Sequence, residues 1–498
     1  MNSPREIELK LALRAADLPA LQRRLAHLGG GTDVQVDNVY FDTADGLLRR
    51  HRMALRVRRI GRRWVQTLKT EAAAGALAER GEWEVPAPRG RLDARRFGQT
   101  PLVKLLQAHP GARLQPVFRT CFRRTVWTTG DGAIEVALDR GEIVAGDRRA
   151  PILELELELK SGTAAALFRL AADLAGHGAG ALPLLPAVDS KAVRGHRLAA
   201  GEAAAPLKAN AAAVAAGLQR DTTLAAALRI VAGRGVTLLL ANGAGAIGGD
   251  DPEFVHQARV AVRRLRSAAR LIGKAAGWPE IIDRDLRWIA RRLGAVRDWD
   301  VLQAQTLPAL IAAVPAAAPI GAAVAPLRRR DDAALREALA GARYARLALR
   351  LMRWSGTTAA EDSPPLAATA GERLARLQRR LLDSASFFIA LPEKQQHRVR
   401  IRTKRLRYAL DLFACALPVK PTRRHVEQLA QLQDELGALN DAVVAAQRVP
   451  ALARTAGADP TAALDWLAAQ RRRHAIGAEA ALAGLAGLPR PWDRSRAP

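Results

Sequence analysis

The chain has 498 residues, two cysteines and a formal net charge of +28, from 77 Lys and Arg against 49 Asp and Glu. That length is ample for two cores, two lone cysteines exclude a disulfide scaffold, and the charge points to polyanionic partners. Aromatics make up only 4% and no zinc-finger cysteine pattern is present, so a base-stacking nucleic-acid reader is not expected.

The first element is Glu6-Ile7-Glu8-Leu9-Lys10. On a strand, Glu6, Glu8 and Lys10 share one face while Ile7 and Leu9 take the other. Three charges on one face would be expensive in a packed interior, so that face belongs either to solvent or to a wet, charged cavity. Further alternating segments follow at Leu55-Arg56-Val57-Arg58, Gln66-Thr67-Leu68-Lys69, Arg80-Gly81-Glu82-Trp83-Glu84-Val85 and Ile134 to Asp139. The last runs from Ile152 to Leu159, with Glu154, Glu156 and Glu158 at every second position. Many short strands with one apolar and one charged face predict a closed antiparallel barrel with a polar lumen.

After about residue 205 alternation gives way to Ala, Leu and Arg at helical spacing. This half contains a degenerate duplication. His256 to Arg266 recurs as His397 to Arg407, and Leu293 to Asp298 recurs as Leu436 to Asp441. Two related helical halves are expected to pack as a paired bundle. On a helical wheel His256, Arg259, Arg263 and Arg266 fall within an arc of roughly 80°, and the stripe runs about 15 Å along the axis. His397, Arg400, Lys404 and Arg407 repeat it. A solvated face is normally laced with acids four residues away, and these segments have none, so the stripes read as a basic track for a polyanion. The histidines stand among arginines without Cys or acidic partners at metal-ligand spacing, which favours a phosphate hydrogen bond or a helix-start role over a metal ligand.

The N-terminal segments resemble the CYTH family, the triphosphate tunnel metalloenzymes, over residues 1–200. Glu6, Glu8 and Lys10 match its opening E-x-E-x-K signature, and Tyr40-Phe41-Asp42-Thr43 the segment after the first helix. Arg56 with Arg58, Lys69, and Arg80 with Glu82 and Glu84 match successive strands, and Arg124 a mid-barrel basic position. Asp139 with Gly141-Glu142-Ile143, then Glu154 and Glu156, match the late acidic strands, and Ser190-Lys191-Ala192 the closing segment. Phe122 stands where many members carry a second basic residue. The resemblance implies that Glu6, Glu8, Asp139, Glu154 and Glu156 hold Mg²⁺ or Mn²⁺ or activate water. It also implies that Lys10, Arg56, Arg58, Lys69, Arg80, Arg124 and Lys191 hold phosphates, with Glu6, Glu8 and Lys10 as the catalytic set. Glu158, two residues further along, is expected at the barrel rim.

The second half resembles the CHAD domain, the conserved-histidine α-helical domain, over residues 207–490. The carrying motifs are His256 to Arg266, its partner His397 to Arg407, and Leu293 to Asp298. The resemblance implies binding of inorganic polyphosphate along His256, Arg259, Arg263, Arg266, His397, Arg400, Lys404 and Arg407. The second repeat departs at Lys404 and Asn440, which stand where the first has Arg263 and Arg297 and lose planar bidentate donors.

The expected fold is thus α+β and multidomain: an antiparallel barrel at 1–200, a linker at 201–206, a duplicated all-α bundle at 207–490 and a disordered tail at 491–498. The expected function is metal-dependent hydrolysis of inorganic triphosphate by the barrel, with polyphosphate bound by the bundle. Alternatives are a class IV-type adenylate cyclase and a non-catalytic protein targeted to polyphosphate granules. No apolar run approaches about 18 residues and no signal pattern is visible, so no membrane association and a cytoplasmic location, open to association with polyphosphate granules, are expected. Ala312 to Pro326 and Ser355 to Ala370 read as surface loops. Oligomeric state is not legible.

Overall fold

Among the described residues, alternation in the first half becomes nine strands: β1 (Arg5–Ala12), β2 (Thr32–Asp42), β3 (Met53–Ile60), β4 (Arg63–Glu71), β5 (Ala78–Pro86), β6 (Gln115–Thr128), β7 (Ile134–Ala145), β8 (Arg148–Leu159) and β9 (Leu185–Pro186). The structure, a computed structural model, describes residues 5–71, 78–359 and 362–493, with backbone alone at Arg5, Glu6, Glu71 and 78–80. The sheet order is β5-β4-β3-β2-β6-β7-β8-β1-β9, and β1 pairs a second time, with β5, from Arg5↔Gly81 to Glu8↔Ala78. That second pairing closes the sheet into a barrel and removes its free edges.

The apolar core lies outside the barrel wall. Leu9 and Leu11 are buried on the outer face of β1, and Leu55 and Leu68 on β3 and β4 pack with Leu47, Leu48, Leu102 and Leu105. Those partners come from α2 (Leu47–Arg50) and α3 (Pro101–Ala108); α1 (Leu18–Leu25) and α4 (Ala164–Ala175) cover other parts of the wall. The lumenal face changes character along the strands. On β8 it reads Ile152, Glu154, Glu156, Glu158, and on β7 Ile143, Gly141, Asp139, Ala137, Glu135.

At the apolar end α5 (Lys191–Ala200) packs against β6, β7 and β8. Ala192 joins Val36, Tyr40, Phe118, Phe122, Ile143 and Ile152 in one cluster. Gly195 makes this approach possible, since a Cβ there would stand 2.1 Å from the Phe118 ring. Ser190 caps the helix by accepting a hydrogen bond from the Val193 N–H at 3.2 Å, which sets Lys191 at its first turn. The Tyr40 to Thr43 segment also proves architectural. The Asp42 carboxylate accepts from the backbone N–H groups of Thr43, Leu48 and Arg49 at 2.7, 2.8 and 3.0 Å, anchoring α2.

The second half is helical: α6 (Ala211–Ala215), α7 (Leu224–Gly248), α8 (Pro252–Ile272), α9 (Glu280–Val301), α10 (Leu307–Ala313), α11 (Ala318–Ala322), α12 (Val324–Leu339), α13 (Ala342–Ser355), α14 (Leu366–Asp383), α15 (Glu393–Phe413), α16 (Val419–Ala456) and α17 (Thr461–Gly487). The duplication is visible in the helices. α8 and α15, which carry the two stripes, are each 21 residues long and begin four residues before the stripe histidine. One residue more separates Leu293 from Pro308 than separates Leu436 from Pro450. The first repeat absorbs it as a π-helical turn at Leu302–Thr306, whereas α16 runs on as α-helix through Pro450.

The chain divides into two compact units. Unit 1 is Met1–Leu207 with Val236–Ile247 and Leu339–Thr357; unit 2 is Lys208–Gly235, Gly248–Ala338 and Thr358–Pro498. Within unit 1, α13 packs against β9 and α4, and the Tyr344 hydroxyl donates to the Leu239 carbonyl at 2.9 Å. The backbone of Leu207 is held by both side-chain atoms of Asn242 at 3.0 Å.

Three expectations change. α7 is long and apolar enough to cross a membrane by length and composition, although 67% of its most apolar window is buried inside the fold. The sequence reading passed over it because Arg229 and Arg234 interrupt the apolar run. Ala312 to Pro326 is not a surface loop: Ala317, Ile320 and Val324 are buried in a cluster with Leu310, Leu452 and Leu467. In the tail, Trp492 is 8% exposed and lies edge-on to His425 at 5.4 Å, so order extends past Pro491.

Candidate functional site

The barrel lumen of unit 1 holds a cavity of about 270 Å³. Its wall includes the cations Lys10, Arg56, Arg58, Lys69, Arg124 and Lys191 and the acids Glu8, Glu82, Glu84, Glu135, Glu156 and Glu158. The two signs are equal in number among the described residues, so this is no simple anion hole. Most of the cations are already tied to acids. Lys10 stands 2.9 Å from Glu8 and 3.4 Å from Glu156, and Lys69 and Arg56 stand 3.1 and 3.7 Å from Glu82.

Arg58 is held differently. Its Nε donates to Asn38 Oδ1 at 2.9 Å, and Asn38 in turn donates to Thr120 Oγ1 at 2.8 Å. Among the described residues no carboxylate lies within ion-pair distance of it. Burial, with the neighbouring Arg56 and Arg124 guanidiniums, pulls Arg58 down to about 10, still charged at neutral pH.

One part of the wall belongs to a denser network. Asp139, Glu154 and Glu156 bring carboxylate oxygens within 4.8 Å of one another, a spacing that fits a shared cation. The Lys191 ammonium sits among them, 2.6 Å from Asp139 and 3.0 Å from Glu156, and also bonded to Glu154. Arg124 grips Asp139 with two bonds of 2.7 Å and contacts Glu156 as well. Burial works against the Glu156 charge, yet Lys191, Lys10 and Arg124 hold its carboxyl well below the usual range. Asp139 and Glu154 are buried and do not line the cavity, whereas Glu8 and Glu156 do.

The cavity wall therefore gathers Glu8, Lys10, Arg56, Arg58, Lys69, Arg124, Glu156 and Lys191, with Asp139 and Glu154 buried against Lys191. The side chains of Glu6 and Arg80 lie outside the described residues; their backbones pair in the β1–β5 seam. Glu158 is on the cavity wall, at the polar end, 2.7 Å from Lys160. Sequence reading missed Glu135 as a wall residue, although its parity with Asp139 could have shown it. It also missed the role of Phe122, whose ring centre lies 5.7 Å from the Arg124 guanidinium and 5.1 Å from Lys191 Nζ. An aromatic face stands there in place of a further cation.

In unit 2 the stripes separate into two groups. Arg259, Arg263, Arg400 and Lys404 interact electrostatically across α8 and α15, and Asp441 is the acid that most offsets Arg400 and Lys404. The Arg259 guanidinium occupies the space over Gly294, where a Cβ would stand 2.8 Å from it. The Nε atoms of Arg263, Arg266, Arg400 and Arg407 are all buried without hydrogen-bond partners. Arg266 and Arg407 differ in having a carboxylate at ion-pair distance, Asp283 at 3.9 Å and Asp411 at 3.8 Å, too far for a hydrogen bond. Burial, and then Arg297, lower His256; burial, and then Arg400, lower His397, which contacts Asn440.

Residues 4–179 match the CYTH domain family and residues 231–450 the CHAD domain family. An inorganic triphosphatase of Haemophilus influenzae is 36% identical over 171 residues, 33% of this chain and 47% of that protein. The alignment thus spans about half the length of that relative. The crystal structure of the CHAD domain from the plant Ricinus communis is 35% identical with a TM-score of 0.52, covering 58% of this chain and 99% of that one. The chain is a CYTH domain followed by a CHAD domain.

Proposed function

We propose that the barrel hydrolyses inorganic triphosphate together with a divalent cation, Mg²⁺ or Mn²⁺, and that the helical unit binds inorganic polyphosphate. The observation that carries the first part is the balanced wall of the lumen. A bare polyanion entering it would have to break Lys10, Arg56 and Lys69 away from their glutamates. A phosphate chain arriving with a cation supplies a partner for each sign at once. Arg58, oriented by Asn38 rather than by an acid, is the cation best prepared to take a phosphate oxygen.

The donor set suits such a cation, because hard divalent ions take carboxylate and phosphate oxygens. Glu8 and Glu156 on the wall would hold it, with Asp139 and Glu154 available beneath Lys191. When bound, the ion supplies charge neutralisation on the phosphate oxygens. The chain itself binds and orients: Arg58 and Lys69 fix the phosphates, and α5 closes the lumen behind Lys191. The triphosphatase of Haemophilus influenzae supports this substrate class.

The second part rests on a cluster that has cations from both repeats and in which the Nε atoms of Arg263 and Arg400 are buried without a protein hydrogen bond. A buried Nε–H without an acceptor is costly, and a phosphate oxygen would supply one.

The test is to incubate the full-length protein with inorganic triphosphate, ATP or long polyphosphate, each with Mg²⁺ or Mn²⁺. Phosphate release from triphosphate is the expected result. Cyclic AMP from ATP would replace the hydrolase reading with a cyclase, and silence with tight polyphosphate binding would leave a scaffold.

A further inference from the structure

β2 runs between β3 and β6, and Asn38 on it stands directly across from Arg58 on one neighbour and from Thr120 on the other. Asn38 is 1% exposed and Thr120 is fully buried, so both polar side chains need partners inside the wall. A guanidinium only donates, which obliges the Asn38 amide to turn its oxygen toward Arg58. That oxygen accepts from Arg58 Nε at 2.9 Å, and the amide nitrogen is left to donate to Thr120 Oγ1 at 2.8 Å. The three residues form one relay, from Thr120 through Asn38 to a guanidinium on the cavity wall.

Five of the six cations on that wall, among the described residues, have a carboxylate oxygen within 3.7 Å. Lys10 has Glu8, Arg56 and Lys69 share Glu82, and Arg124 and Lys191 share Asp139 and Glu156. Arg58 is held by an amide instead. An aspartate at position 38 would fill the same space and would pair Arg58 as Glu82 pairs Arg56. The amide orients the guanidinium without neutralising it, and the terminal nitrogens keep the donor geometry that suits a phosphate.

We propose that Asn38 is a positioning residue that makes Arg58 the landing point of the lumen, where one phosphate group docks before the divalent ion arrives. Docking there breaks no ion pair, whereas contact with any of the other five cations competes with a carboxylate. The rest of the phosphate chain then seats together with the ion. The inference rests on the reading of the barrel as a triphosphatase.

The experiment has two arms, both on the full-length protein. One is steady-state phosphate release from inorganic triphosphate at saturating Mg²⁺, with kcat and KM separated. The other is calorimetric titration with triphosphate in the presence of a chelator. The variants are Asn38→Asp, Thr120→Val, Thr120→Ser and Arg58→Met, with Asn38→Asp and Thr120→Val each also made in the Arg58→Met background. Asn38→Asp should raise KM about tenfold or more at nearly unchanged kcat, as expected when a charge-assisted contact common to ground and transition states is lost. Thr120→Val should move KM the same way by a smaller factor, and Thr120→Ser, which keeps the hydroxyl, should restore the parent value. Neither Asn38→Asp nor Thr120→Val should change KM further once Arg58 is Met, because each acts through that guanidinium. With chelator present the parent should bind triphosphate more tightly than Arg58→Met does, and Asn38→Asp should match Arg58→Met. This difference separates the lumen from anything the helical unit binds. Equal rises in KM with and without Arg58 would overturn the proposal, as would identical chelator binding by the parent and Arg58→Met, and in either case turnover by the parent would uphold the reading beneath it. If Asn38→Asp fails to fold, the Thr120 pair carries the same decision. No phosphate release by the parent with Mg²⁺ or Mn²⁺ would overturn the reading and the proposal together.

Discussion

Lys191 Nζ stands 2.6 Å from the Asp139 carboxylate, which is completely buried, so the chain's own ammonium sits among the carboxylates of Asp139, Glu154 and Glu156. The lysine is delivered there by the Ser190 cap and by the close seat of α5 on Phe118. It neutralises Asp139, Glu154 and Glu156 from behind while Arg124 does so from the side.

Removing that ammonium should expose the cluster to external cations. Lys191→Met is expected to cost about 3–5 kcal/mol, the usual effect of leaving buried charges unpaired. Added Mn²⁺ should then raise the melting temperature of the variant more than that of the parent. Equal Mn²⁺ shifts in a folded variant would show that the cluster has no affinity for divalent ions.

Among the described side chains, Glu8 is the carboxylate of the opening motif on the cavity wall. Glu8→Gln should lower triphosphate turnover on the order of 10²-fold or more with little change in fold, as expected when a cation ligand is deleted. Steady-state phosphate release with circular dichroism as the folding control measures this. Full activity in the variant, or in the parent after exhaustive chelation, would sink the assignment.

The same network sets an acid limit. The Glu156 carboxyl is held below its unfolded value of about 4.3. Its stabilisation is therefore fully present above that pH and is lost as pH falls through the folded value. Lys191 is raised, so its share is present below about 10 and is lost only above the folded value. The barrel's melting temperature should accordingly be level from about pH 5 to 9 and drop in acid, with Glu156→Gln showing a shallower acid limb. An identical acid limb in parent and variant would remove Glu156 from this role.

In the helical unit, the cost of substitution should follow the split within the stripes. Ala at Arg259, Arg263 and Arg400 should weaken polyphosphate binding and flatten its salt dependence, each lost phosphate contact lowering the slope. Ala at Arg266 and Arg407, which have Asp283 and Asp411 at ion-pair distance, should do much less. Titrations at several salt concentrations would decide it, and equal losses from both sets would return the stripes to one uniform track.

A fragment ending at Leu207 contains every candidate residue of the lumen but lacks α13, which packs against β9 and α4. It should retain triphosphate turnover while melting lower than the same unit in the full chain and binding a hydrophobic dye. A fragment as stable as the parent unit would show that α13 adds little.

Much of this protein was legible from period and spacing alone. Period-two alternation determined which residues of β1, β7 and β8 share a face, because a strand leaves a side chain no choice but to alternate. That was enough to put Glu8, Lys10, Arg58, Glu156 and their neighbours in one lumen. Helical period and the internal duplication likewise determined the two stripes, and α8 and α15 carry them in equal lengths. What the tertiary structure decided was pairing. Alternation says that Lys191, Arg124 and Asp139 are polar, but not that Lys191 fills the acidic cluster, since those contacts join α5 to strands more than thirty residues away in sequence. Nor could a helical wheel separate Arg263 from Arg266, because the difference lies in what the neighbouring helices supply, Tyr408 of α15 to the one and Asp283 of α9 to the other. The placement of α13 with the barrel was equally hidden, because an amphipathic stripe shows only that a face must be covered and never by what.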